Sequence, residues 1–218
     1  GYTSAESHYI TNASMQQMNG DDLIVTFSRL QAGDSVTLMV KDFSDWFLRT
    51  KGAYDSFEHG TVKYEGWTVV SGEITASKNQ ASEGDWSMEI GKKTNVTRSV
   101  PYLQDGRVEL KIFYGESGNF SLELQSAYSP QYGDAATPIG LCTEDGSLLF
   151  LGADSASDLK LKVNEWNPFV FDLNLSAADP TATLSLNGSE SVVLPVNETA
   201  GDYVCYITID TDEVIYVD

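Results

Sequence analysis

Between Leu159 and Gly188 apolar and polar side chains alternate with a period of two. Leu159, Leu161 and Val163 are interleaved with Lys160, Lys162 and Asn164. Beyond Trp166 and Pro168 the alternation resumes, with Phe169, Phe171, Leu173 and Leu175 set against Val170, Asp172, Asn174 and Ser176. Ala177-Ala178-Asp179-Pro180 is turn chemistry, and the β-branched run Thr181–Leu186 ends at Asn187-Gly188. A period of two punctuated by Pro and Asn-Gly marks antiparallel strands. It predicts a meander of strands over 159–163, 169–175 and 181–186.

The same pattern recurs along the chain. Leu23–Leu30 and Ser35–Asp42 read as a hairpin closed by Gln-Ala-Gly-Asp, after a polar stretch over 1–20 that reads as an extended arm. Phe43–Tyr54 reads as a short helical turn or a loop. Thr97–Val100 is a further strand. Arg107–Phe113 and Asn119–Ala127 read as a strand pair around a Gly-rich connection, and Ile139–Thr143 with Ser147–Leu151 as a hairpin through Glu144-Asp145-Gly146. Short strands at this spacing, with no run of helical period, predict an all-β fold. The expected form is an antiparallel β-sandwich, a jelly roll, with an N-terminal β-hairpin extension. The expected division is 1–56, arm and hairpin packed on the sandwich, and 57–218, the sandwich itself.

Charge narrows the choice of partner. Thirteen Lys and Arg stand against 32 Asp and Glu, a formal net charge of −19. Such a field repels nucleic acid and anionic membranes and favours neutral or cationic ligands. No apolar run approaches the roughly 18 residues of a membrane span. Cys142 and Cys205 each sit in an apolar strand context, which suits buried free thiols, or one bridge if the chain is secreted.

Residues 57–218 carry a resemblance. Phe57-Glu58-His59-Gly60, Gly66-Trp67-Thr68-Val69-Val70-Ser71-Gly72 and the Ala81, Gly84, Ser87-Met88 step stand in that order. Val163-Asn164-Glu165-Trp166 precedes an alternating strand, and the chain closes on an acidic residue before a short apolar run. This order resembles extracellular jelly-roll carbohydrate-binding modules of the laminin-G and concanavalin A-like lectin class. The resemblance implies a carbohydrate partner, an extracellular or cell-surface location and a place in a larger multidomain protein. It also implies a structural calcium held by Glu58, the loop of Glu83 and Asp85, and Asp218.

Catalytic motifs do not stand out. The only histidines are His8 and His59, and there is no Gly-x-Ser-x-Gly elbow, His-Glu-x-x-His or phosphate loop. The Glu-x-Asp-x-x-Glu string of jelly-roll glucanases is missing. Glu109 and Glu123 would face each other if their strands pair, as glycoside hydrolysis requires of two carboxylates. The other reading is a solvated face with Lys111 as counterion. Tyr114, Tyr128, Tyr132, Arg98 and Arg107 are the residue types of a lyase, without a spacing that singles them out.

A sugar offers C–H faces that stack on aromatic rings and hydroxyls that take paired donors and acceptors. Trp46, Trp86, Tyr128 and Tyr132, which lie in segments rich in loop residues, are the expected platform. Lys111 and Gln125 supply polar contacts from a strand face, and Trp67 and Trp166 are expected in the core. The expected function is a non-catalytic carbohydrate-binding module. The alternatives are an adhesion or structural domain with no sugar site, and a polysaccharide lyase or glycoside hydrolase on the same scaffold.

Overall fold

A computed structural model describes residues 13–19, 22–27, 55, 57–58, 60–62, 66–115, 118–127, 137–144, 146–153 and 157–218. The chain divides into two compact units, 1–48 and 49–218. In the first, β1 (Ala13–Asn19) pairs antiparallel with β2 (Asp22–Phe27), ending on Asn19 opposite Asp22. The stretch read as an extended arm therefore contains a strand. The predicted partner strand, 35–42, and the segment 43–54 lie outside the described residues.

The second unit is built from β3 (Trp67–Ser71), β4 (Ile74–Ser77), β5 (Ser87–Ile90), β6 (Thr94–Leu103), β7 (Asp105–Tyr114), β8 (Phe120–Gln125), β9 (Ile139–Glu144) and β10 (Ser147–Phe150). It continues with β11 (Glu165–Asn174), β12 (Thr181–Leu186), β13 (Val192–Leu194), a 3-10 turn at Glu198–Ala200, β14 (Val204–Thr211) and β15 (Ile215–Val217). A six-stranded sheet runs β10-β9-β8-β14-β6-β3 and a seven-stranded sheet runs β13-β12-β11-β7-β15-β5-β4. All the pairings are antiparallel. The protein is an antiparallel β-sandwich of jelly-roll type, as the alternation predicts.

The inward residues of each strand seal one core. Leu122, Leu124 and Ile209 of the six-stranded sheet are buried, as are Ile90, Ile112 and Phe169 of the seven-stranded sheet. Phe120 meets Phe169 edge-on across the layers, with ring centroids 6.3 Å apart. Burying an aromatic of this size is worth about 2–3 kcal/mol.

Three expectations change. First, β7 and β8 are not partners. β7 pairs with β11 and β15, whereas β8 pairs with β14 and β9. Alternation reports which side of a strand faces the core, and Ile112 and Leu122 both face it from opposite layers. Glu109 and Glu123 therefore lie on different sheets, and the facing-carboxylate arrangement does not exist.

Second, 159–163 is not a strand. Its one ladder contact is a bridge between Lys160 and Ser147, and Val163 is 49% exposed. The fully buried Asn167 side chain acts there as a surrogate peptide. Its Oδ1 accepts from the Lys162 amide at 2.8 Å, and its Nδ2 donates to the Lys162 and Glu165 carbonyls at 3.0 and 2.9 Å. β11 accordingly starts at Glu165 and runs through Pro168. Proline is tolerated because the β12 ladder begins one residue later, at Phe169 opposite Leu186. Third, Cys142 is exposed and Cys205 half-buried, both as free thiols. Leu141 takes the inward position of β9, which turns Cys142 outward.

Candidate functional site

The outer face of the seven-stranded sheet is set by its inner one. Met88, Ile112, Asn167, Phe169 and Val217 are buried, so their neighbours Glu89, Lys111, Phe113, Trp166 and Tyr216 stand on the opposite side. The register puts Trp166 of β11 opposite Phe113 of β7, and Phe113 opposite Tyr216 of β15. Three half-buried aromatic rings thus form a row across three neighbouring strands. Trp166 and Tyr216 meet Phe113 edge-on from either side, with centroids 5.8 and 5.9 Å apart and planes at 69° and 80°. Tyr216 lies opposite Glu89 on β5, whose Oε2 accepts from the Asn79 amide at 3.3 Å. Burial, and then the Glu89 charge, push the Tyr216 hydroxyl above its ordinary pKa. It therefore stays protonated at neutral pH and can both donate and accept.

The next row is polar. Pro168 lies opposite Lys111, and the Lys111 and Asp218 backbones exchange hydrogen bonds of 2.8 and 3.0 Å. The Lys111 ammonium meets Glu83 Oε1 at 2.5 Å; by hydrogen bond first and charge second it holds the Glu83 carboxyl below the usual range. Further along, Arg107 bonds Asp172 at 2.8 Å and Glu109 at 3.3 Å. Lys111 thus lies beside a row of rings that the sequence reading did not assemble. Trp166, expected in the core, is the part that was misplaced: β11 begins before Pro168, and the buried Asn167 turns Trp166 outward.

The residues with implied calcium roles gather around the loop 82–86, which two carboxylates grip. Glu58 accepts the Asp85 amide with both oxygens and the Trp86 amide with Oε1, all at 3.0 Å. Asp218 Oδ2 accepts the Ser82 and Glu83 amides at 2.8 and 2.9 Å. Gly84, at φ +64°, lets the loop pass over Glu58, since a Cβ there would overlap the carboxylate. Calcium takes six to eight oxygens. What faces Glu58 and Asp218 here are N–H donors, and Glu83 faces an ammonium. Among the described residues no group of three or more His, Cys, Asp or Glu has the geometry to hold a metal. Glu58 and Asp218 thus clamp the loop through its backbone amides.

A prediction follows for this clamp. Glu58→Ala is expected to lower the melting temperature by roughly 2–5 °C, while excess chelator leaves the wild-type melt unchanged. A chelator-induced fall reversed by calcium would mean that the carboxylates hand over to the ion.

Trp86 is half-buried against the core, with the Lys78 ammonium 4.6 Å from its ring centroid. Gln125 is fully buried on the outer side of the six-stranded sheet. Its Nε2 donates to Glu123 at 2.6 Å, and its Oε1 accepts from Thr208 at 2.8 Å. Thr137 also donates to Glu123 at 2.8 Å, and the Thr208 hydroxyl, its proton given to Gln125, accepts from Thr97 at 3.0 Å. This closed network leaves Gln125 no exposed surface. Trp46, Tyr128 and Tyr132 lie outside the described residues.

No protein family and no curated protein sequence matches this chain. Several solved structures are similar to this chain. A sialidase matches over 77% of this chain at 12% identity, with a TM-score of 0.47, and the chain spans 18% of that protein's length. A xylan-binding domain of CBM 22 matches over 75% of this chain and 88% of its own length, at 17% identity and a TM-score of 0.38. A winged bean acidic lectin complexed with methyl-α-D-galactose matches over 69% of this chain and 91% of its own, at 6% identity and a TM-score of 0.38.

Proposed function

We propose that this chain is a non-catalytic carbohydrate-binding module of a secreted or cell-surface protein, and that the sugar lies on the outer face of the seven-stranded sheet. The row Trp166–Phe113–Tyr216 carries this reading. Strands in a sheet lie about 4.8 Å apart, so three adjacent strands present a strip roughly 10 Å long. Such a strip accommodates two sugar rings in sequence. The rings supply apolar contact to C–H faces, and the protonated Tyr216 hydroxyl, the Asn79 amide, Glu89 and Glu83 supply the donors and acceptors that orient hydroxyls. Among the described residues no helix is long and apolar enough to cross a membrane, so a membrane-spanning helix has no part in this reading.

The test is electrophoresis of the protein through native gels cast with unsubstituted β-glucan, xylan, mannan or galactan, with the same polymers assayed for new reducing ends and unsaturated products. The expected result is retardation by at least one polymer with no product formed. Mobility unchanged in every gel would overturn binding, and product formation would overturn the non-catalytic assignment.

A further inference from the structure

We infer that the aromatic face selects uncharged glycans and rejects chains that carry carboxylates. The inference rests on the sugar-binding reading above and adds the ligand's charge class. The two cations on the strands of this face, Lys111 and Arg107, already have carboxylates. Lys111 is held by Glu83 at 2.5 Å, and Arg107 by Asp172 at 2.8 Å and Glu109 at 3.3 Å. Lys162, at the Trp166 end, lies 3.9 Å from Glu165.

The carboxylates on or beside this face, Glu83, Glu89, Glu109, Asp172 and Asp218 among them, outnumber Lys111 and Arg107. The local balance is negative, and it sits in the field of a chain with net charge −19. An acidic sugar would have to take Lys111 from Glu83. Glu83 would then be left unpaired next to the incoming carboxylate, with Asp218, which accepts the Glu83 amide, alongside. A neutral sugar leaves the Lys111–Glu83 pair intact and uses its remaining hydrogen-bonding capacity. Two or three close like-charge contacts separate the classes by tenfold or more.

The experiment compares each neutral polymer that retards the protein with its carboxymethylated derivative, cast at equal mass in the same gel series. The backbone is constant and only the charge changes. Retardation by the neutral form, with at least about tenfold weaker retardation by the carboxymethylated one, is the expected result. The difference should shrink at about 1 M salt, where screening acts within roughly 3 Å. Glu83→Gln frees Lys111 and should narrow the ratio between the two retardations. Equal or stronger retardation by the carboxymethylated form would overturn the charge selectivity while leaving sugar binding in place. Retention by neither form would overturn both.

Discussion

Asp55→Ala is expected to destabilise the sandwich by about 3–5 kcal/mol, the cost of removing one partner of a buried ion pair. Asp55 Oδ1 lies 2.7 Å from Arg98 Nη2, with side-chain exposures of 8% and 13%. Asp55 Oδ2 accepts the Trp67 indole N–H at 2.9 Å. Trp67 and Arg98 are themselves register partners on β3 and β6, so Asp55 ties the start of the unit to the edge of the six-stranded sheet. Alanine takes the Asp55 carboxylate away from Arg98 and from the Trp67 indole in a nearly closed site. The exposed counterpart is Asp172→Ala, which removes the Arg107 pair at a residue whose side chain is 47% exposed. That change should cost at most about 1 kcal/mol. Denaturant melts of the two variants decide the matter. Equal losses would mean that the Asp55 pair is solvated and that Trp67 and Arg98 hold the edge without it.

What could be read from the sequence was what alternation encodes. Phe169–Leu175, Thr181–Leu186 and the hairpin at 139–151 emerge close to their observed bounds, because each has an apolar face that must be buried. Alternation does not name the sheet a strand joins. Arg107–Phe113 and the strand after it have the same pattern whether they pair or pack, and only the structure separates the layers. Asn167 was unreadable for another reason: a lone polar residue inside an aromatic run reads as a break, and its role as a backbone surrogate depends on Lys162, Glu165 and Asn187 meeting it. Trp166 was misplaced as a consequence.

The ring row was out of reach because Phe113, Trp166 and Tyr216 come from strands far apart in the chain. A polar-side position in each strand that holds an aromatic is the signal that could have found them. The Glu58 and Asp218 grip was visible through resemblance, but the N–H partners that fill it were not.

The second large effect concerns the ring row itself. Trp166 and Tyr216 flank Phe113, and neither belongs to the core cluster. Replacing both by alanine strips the strip of its outer rings while the buried residues beneath stay in place. Centrally placed aromatic anchors contribute about 2 kcal/mol or more each to binding, so the pair corresponds to a loss of roughly 100-fold or more. Stability should change far less than for Asp55→Ala.

The direct measurement is the dissociation constant for the best-retained neutral polysaccharide, taken from mobility against polymer concentration, for wild type and for Trp166→Ala/Tyr216→Ala. Thermal melts of both proteins accompany it. The expected outcome is retention abolished in the double variant with a cooperative melt preserved. Undiminished retention by a folded double variant would place the sugar elsewhere and contradict the account.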